Sequence, residues 1–226
     1  MKKQVSVTFM LAGILFTTCL ILSNILAVKI ITIGSWAAPA GVLVFPLAYI
    51  LNDVIAEVWG YRKARLIIWT GFAMNILTVV FFTTSIALPA ASFWQNQEAY
   101  QIIIGTTPRI VLASLTAYLA GSFLNAFVLS RMKVRSKGKN FGLRAIMSTL
   151  AGESIDSLLF ITIAFSGIFP LHAILTMVIT QTLLKTAYEV IILPVTTIVV
   201  SKIKQMEGID TFDSEISYNP FVIKEV

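Results

Sequence analysis

Long stretches without a charged residue are the feature that most constrains this chain. Residues 5–28 and 110–130 contain no Asp, Glu, Lys or Arg. Each stretch can supply the helix of about 20 residues that crosses a hydrocarbon core about 30 Å thick. Only 12% of all residues are charged and the mean hydropathy is +0.87, whereas about 25% of a soluble domain is charged. The sequence therefore predicts an integral membrane protein.

The apolar runs predict the fold class, an all-α membrane protein with six transmembrane helices. The predicted spans lie at about 5–28, 40–59, 66–88, 110–130, 145–169 and 172–201. They form a single transmembrane domain, residues 1–204, which leaves residues 205–226 as a polar cytoplasmic tail with little to pack. The connectors between the spans are interpreted as loops, the longest of which surrounds Gln95.

The distribution of Lys and Arg predicts the orientation of these spans, because cytoplasmic loops carry an excess of both residues. If the N-terminus is cytoplasmic, every Lys and Arg except Lys29, Arg109 and Lys185 falls in a cytoplasmic segment, and the connector around Gln95 has none. Both termini are thus predicted to be cytoplasmic, in a multi-pass protein of the cytoplasmic membrane. The net charge of +6 then needs no nucleic-acid partner to explain it.

Several ionisable residues lie within the predicted spans. A charge at the centre of a bilayer costs about 2.5–3.5 kcal/mol even on lenient scales, so such residues usually mark a function. From a rise of about 1.5 Å per residue, their depths overlap on three different spans. These residues are five acids, Asp53, Glu57, Glu153, Asp156 and Glu189, and one base, Lys185.

Spacing along the helices supports a shared internal polar site. Glu153 and Asp156 are three residues apart, and Gln181, Lys185 and Glu189 recur every fourth residue, so each set faces one side of its helix. In the alternative interpretation, Lys185 only forms a helix-locking ion pair with Asp156 or Glu189. That pairing would leave the other acids without a partner.

The role of Glu57 stays open, because it lies within one turn of Gly60. It belongs either to the polar site or to an interfacial anchor, in which it pairs with Arg62 or Lys63. A stripe of small residues, Ala113, Ala117 and Gly121, leads to Asn125 at every fourth position. Such a stripe first of all indicates close helix packing.

No motif in the sequence indicates an enzyme. The chain contains no phosphate-binding G-x-x-x-x-G-K-[ST] loop, no cluster of Cys and His that would bind a metal, and no H-E-x-x-H or G-x-S-x-G motif. We therefore expect no catalytic residue, cofactor or metal. Polar groups gathered inside a small helical bundle favour a carrier or a binding protein.

Four segments resemble the queuosine precursor transporter family, which consists of six-span integral membrane proteins and has also been described as a vitamin uptake transporter family. The segments are FPLAYILNDVIAEVWGYRKAR at 45–65, TPRIVLASLTAYLAGSFLNAFVLSRMK at 107–133, RAIMSTLAGESIDSLLF at 144–160 and YNPF at 218–221. The resemblance implies import of 7-cyano-7-deazaguanine or its aminomethyl relative across the cytoplasmic membrane, for the transfer-RNA modification queuosine.

The intramembrane residues are compatible with such a base. A guanine-like edge presents a ring N–H beside an exocyclic amine, and one carboxylate accepts from both. We hypothesise that Glu153 or Asp156 accepts from this edge, that Lys185 and Gln181 donate, and that Asp53 completes the pocket. Glu189 and Asn125 are the remaining candidates for substrate binding.

Two other functions stay open at this point. The chain resembles in size a substrate-binding subunit of an energy-coupling-factor transporter, which would associate with an ATPase. It is also compatible with a structural membrane protein whose acids form ion pairs between the subunits of a homo-oligomer. In a carrier, Asp53, Glu153 or Glu189 could in addition bind a proton.

Overall fold

The computed structural model of the chain describes residues 6–26, 28–33, 36–105, 108–214 and 216–222. These residues contain seven α-helices: α1 (Val7–Leu26), α2 (Phe45–Trp59), α3 (Tyr61–Ala87), α4 (Gln97–Ile104), α5 (Pro108–Ser136), α6 (Phe141–Phe165) and α7 (Leu171–Glu207). A 3-10 turn (Ala40–Leu43) precedes α2. The predicted helical fold class is confirmed in this coarse sense.

Five of the helical segments are long and apolar enough to cross a membrane, namely Val7–Leu26, Tyr61–Ala87, Val111–Ser136, Phe141–Phe165 and Ile174–Glu207. Large apolar side chains cover their outer faces, as the exposures of Phe81 (64%) and Ile191 (74%) illustrate. Apolar surface of this extent is typical of protein in contact with lipid. The chain is therefore a multi-pass membrane protein, whereas six spans and their orientation stay predictions.

The predicted second span, 40–59, takes a different form from the other five. Its α-helical part, α2, has 15 residues, of which 12 are buried, and at about 1.5 Å per residue it is roughly 22 Å long. It packs against α1, α3, α5 and α7. The helix that carries Asp53 is thus enclosed by protein, with little of its surface left for lipid.

Two connectors that the sequence indicated as loops contain secondary structure. Between α1 and α2, the strands β1 (Ile30–Ile33) and β2 (Trp36–Pro39) pair antiparallel, with Ile30 opposite Pro39 and Ile33 opposite Trp36. The β-branched run of β1 favours an extended backbone. Between α3 and α5, the connector contains α4. The interpretation of both connectors as plain loops was wrong.

The expectation that the polar tail packs little was also wrong. The part of the tail that follows α7 and is described by the structure, residues 209–214 and 216–222, is named here the tail strap. It lies along α3 and α5. The Arg65 guanidinium donates to the carbonyl oxygens of Ser217 (3.2 Å) and Asn219 (2.7 Å), and the Trp69 indole N–H donates to that of Pro220 (2.8 Å). The strap thus satisfies polar groups of α3 that would otherwise be buried without partners.

The tail strap also fixes the start of α3. Asp213, which is 5% exposed, accepts a hydrogen bond from the backbone N–H of Tyr61 at 2.8 Å, where the unpaired N–H groups of a helix favour a carboxylate. Gly60 makes this approach possible. Its φ is +84°, and a Cβ there would lie 2.8 Å from both a carboxylate oxygen of Asp213 and the methyl of Thr211.

Candidate functional site

Six of the seven predicted site residues lie together at the centre of the bundle. They are named here the central polar cluster and comprise Asp53 on α2, Asn125 on α5, Glu153 and Asp156 on α6, and Lys185 and Glu189 on α7. None is more than 6% exposed. The seventh, Gln181, is half-buried one turn before Lys185 and makes no hydrogen bond to another described residue.

Lys185 is held between two carboxyl groups of the neighbouring helix. Its Nζ lies 2.7 Å from Glu153 Oε2 and 2.7 Å from Asp156 Oδ2. The two acids can share one ammonium because residues three apart face the same side of α6. The same Nζ stands 4.0 Å from the centre of the Phe45 ring, a favourable position for a cation. The predicted ion pair with Asp156 is therefore present, and Glu153 takes part in it.

Asp53 has neutral and acidic neighbours instead of a cation. The Asn125 side-chain amide donates to Asp53 Oδ1 at 2.5 Å, and the carboxyl groups of Asp53 and Glu189 are electrostatically coupled neighbours. Asp53 Oδ2 and Glu189 Oε2 are buried without a hydrogen-bond partner among the described residues. The cluster therefore has two parts, an ion-paired part around Lys185 and a carboxyl pair beside it.

Further polar atoms around the cluster lack partners within the described part of the chain. They are the hydroxyl of Tyr49, the amide oxygen of Asn125 and the hydroxyl of Thr149. Tyr49 lies near Asp53, Glu153 and Asp156, and Thr149 lies near Glu189. Buried polar atoms without partners are uncommon in proteins, and a group of them is typical of a place that binds water or a polar ligand.

Two glycines bring α5 and α6 into backbone contact next to the cluster. A Cβ at Gly121 would lie 2.9 Å from the carbonyl oxygen of Gly152, and a Cβ at Gly152 would lie 2.8 Å from that of Gly121. Ala113 and Ala117 of the same stripe are buried. The prediction that this small-residue stripe packs helices closely is confirmed.

A second group of buried charges, the inner charge cluster, lies around Glu57 at the end of α2. Arg144 donates to both carboxylate oxygens of Glu57, at 2.5 and 3.0 Å, and Lys204 donates at 2.7 Å. Lys133 lies 3.7 Å from the same carboxylate, and Asp210 of the tail strap bridges Lys133 and Lys204. Glu57 is completely buried and belongs to an ion-pair network apart from the central polar cluster, with partners other than those expected for an interfacial anchor.

The sequence suggested other partners for Glu57. Lys63, one of the two expected, lies over the Phe9 ring instead. The cations that do pair with Glu57 come from the ends of α5, α6 and α7, where the sequence indicated only topological charge. Tyr49 and Thr149 were also missed. Each lies four residues before an acid of the central polar cluster, Asp53 and Glu153, and this spacing is the signal that could have identified them.

The geometry can now be compared with known proteins. The model of a family described as "Putative vitamin uptake transporter" matches residues 39–199, more than half of the chain. The chain belongs to this family. The match begins just before the 3-10 turn and ends within α7, so it covers every residue of the central polar cluster. As a member of a transporter family, the chain is a transporter and not an enzyme.

Curated relatives carry more specific names. The chain is 30% identical over 175 residues to a "Probable queuosine precursor transporter" of Bacillus subtilis, covering 76% of each chain. It is 29% identical over 143 residues to the "Queuosine precursor transporter" of Escherichia coli, covering 63% of this chain and 62% of that one. A "Probable queuosine precursor transporter" of Haemophilus influenzae is 27% identical over 125 residues, covering 55% of this chain and 51% of that one. No solved structure matches the chain significantly.

Proposed function

We propose that this transporter imports queuosine precursors, 7-cyano-7-deazaguanine and/or 7-aminomethyl-7-deazaguanine, across the cytoplasmic membrane. The names of the three relatives support the substrate class. The central polar cluster supports binding of a small polar molecule, because it gathers acidic groups and unpartnered buried acceptors on four helices. This cluster is the observation on which the proposal rests.

A 7-deazaguanine offers groups that complement this cluster. Its ring N–H and exocyclic amine lie side by side and together can donate to one carboxylate. Without substrate, Lys185 occupies acceptor positions on Glu153 and Asp156. The base edge therefore competes with the ammonium for one of these carboxylates. Once displaced, the ammonium can donate to the carbonyl oxygen of the base.

The remaining residues of the cluster would form the rest of the pocket. Gln181 lies one turn from Lys185 and offers a second donor. Asp53, Asn125 and Glu189 line the opposite side, where unpartnered oxygens can accept from the substrate. A base that lacks the exocyclic amine would leave a buried carboxylate without its donor, and buried unpaired groups discriminate strongly between substrates.

Uptake in a bacterial strain that cannot synthesise the precursors would test this assignment. Glu153→Gln, Asp156→Asn and Lys185→Ala are each expected to reduce uptake of labelled 7-cyano-7-deazaguanine by about tenfold or more, the value of one lost hydrogen bond to a charged group. Glu98→Gln, at an exposed position on α4, is the matched control. Uptake like that of the wild type in all three variants, at normal expression, would contradict the assignment.

A competition experiment tests the specificity of the same site. Unlabelled 7-cyano-7-deazaguanine is expected to compete with the labelled base, whereas the analogue without the exocyclic amine is expected not to compete. Equal competition by both compounds would show that no carboxylate of the site accepts a hydrogen bond from the exocyclic amine.

A further inference from the structure

The carboxyl pair of Asp53 and Glu189 is the part of the central polar cluster that the proposed binding mode leaves unexplained. Asp53 is completely buried and Glu189 is 3% exposed, and their carboxyl groups, on α2 and α7, are electrostatically coupled neighbours. The Asn125 amide donates to one oxygen of Asp53. One further oxygen of each acid has no hydrogen-bond partner among the described residues.

The described residues around this pair place no cation against either carboxyl group. Lys185, one turn from Glu189 on α7, points its ammonium at Glu153 and Asp156. Glu57, one turn beyond Asp53 on α2, is already paired with Arg144 and Lys204. The other titratable groups whose charges reach the pair are Tyr49 on α2 and Glu153 on α6, while α5 contributes the amide of Asn125.

Charge balance within the cluster points to a proton. Among the described residues, four carboxyl groups, Asp53, Glu153, Asp156 and Glu189, are enclosed with one ammonium, that of Lys185, so full ionisation would leave three negative charges without a cation. Two carboxylates in contact cannot both stay ionised in a site of low dielectric, and such pairs share one proton. A shared proton also provides the donor that a hydrogen bond between the two acids requires.

We propose that Asp53 and Glu189 form a proton-binding site, in which the two carboxyl groups hold one shared proton. This proton neutralises part of the enclosed negative charge, while the ammonium of Lys185 stays paired with Glu153 and Asp156.

Infrared spectroscopy of the full-length protein in lipid nanodiscs tests the proton site without any substrate. The wild type at neutral pH is expected to show the C=O band of a protonated carboxylic acid. Asp53→Asn and Glu189→Gln should each remove one carboxylic acid from this band, because the new amide can donate to the remaining carboxylate. Glu98→Gln should leave the band unchanged. Thermal unfolding measurements would show that each variant is folded. A band of wild-type intensity in both folded variants would overturn the proton site.

Discussion

Asp53 and Glu57 are two buried acids one turn apart on α2, and their surroundings are opposite. Glu57 is surrounded by Arg144, Lys204 and Lys133, and its carboxylate accepts charged hydrogen bonds on both oxygens. Asp53 has the amide of Asn125 and the carboxyl group of Glu189 beside it. Both acids are 0% exposed, so burial alone does not distinguish them.

The difference separates an ion-pair network whose charges are satisfied from a cluster that keeps unpaired acceptors. The inner charge cluster is complete, since cations from three helices and Asp210 of the tail strap satisfy one another. It joins the ends of α5, α6 and α7 to α2 and has little capacity left for a ligand. The central polar cluster has an excess of acid and unpartnered oxygens. A site that must bind and release a substrate needs such free capacity.

The largest loss of stability is expected for Glu57→Gln. The substitution leaves the buried Arg144 and Lys133, and the partly exposed Lys204, without their shared carboxylate. Removing one partner of a buried ion pair costs about 3–5 kcal/mol. Thermal unfolding in detergent would measure this loss. The double variant Glu57→Gln with Arg144→Gln should lose less unfolding free energy than the sum of the losses in the two single variants. The reason is that the two residues share one interaction. Simple additivity would contradict the network.

A smaller loss is expected for Lys185→Met in the central polar cluster. The variant leaves Glu153 and Asp156 without their ammonium, but these carboxyl groups can take up protons and become neutral. The loss of unfolding free energy should be about 1–3 kcal/mol, the range for a buried group without its partner. Lys202→Gln, at an exposed position on the same helix, is the control. A loss as large as that of Glu57→Gln would erase the distinction between the clusters.

Asp210→Asn should have a modest effect, because the Asp210 side chain is 45% exposed. Partial burial raises the pKa of its carboxyl group, but hydrogen bonds from Lys133 and Lys204 outweigh this and lower the pKa below its ordinary value. Its contribution is therefore present above the ordinary pKa and is lost as the pH falls through the lowered one. The expected loss of about 0.2–1 kcal/mol should disappear in unfolding measurements at acid pH. A loss that is the same at all pH values would contradict this role.

Asp53→Asn should change stability least but should still reduce transport. The amide has the size of the carboxyl group and can still pair with Asn125 and Glu189, so we expect no loss larger than that of Asp210→Asn. Uptake should nevertheless fall strongly, because an acceptor of the proposed pocket is lost. Thermal unfolding and uptake measured on the same preparations would separate the two effects. A large loss of stability with normal uptake would make Asp53 a structural residue like Glu57.

The central polar cluster was predictable from the sequence because helices translate spacing into position. Residues three or four apart share a helix face, and acids inside apolar runs stand out against their neighbours. The depths of Asp53, Glu153 and Lys185 then indicated that their helices meet. The same logic predicted the contact at Gly121, although it could not identify Gly152 as its partner.

The inner charge cluster and the tail strap were not predictable in this way. Arg144 and Lys204 lie at helix ends, where positive charge already has a topological explanation, so nothing in the sequence indicates that they converge on Glu57. The strap has no helical period, and the groups that accept from Arg65 and Trp69 are backbone carbonyl oxygens. Such contacts leave no pattern in residue type. The short length of α2 depends likewise on packing that a hydropathy pattern does not show.

The backbone contact between Gly121 and Gly152 has a mechanical consequence. Because no side chain separates the backbones of the two helices at this point, we expect α5 and α6 to move as one body during transport. The Lys185 ammonium then links this body to α7, because it is ion-paired with Glu153 and Asp156 at the centre of the bundle. A substrate that binds Glu153 or Asp156 would break this ion pair, so that substrate binding and the release of α7 from α6 would occur together.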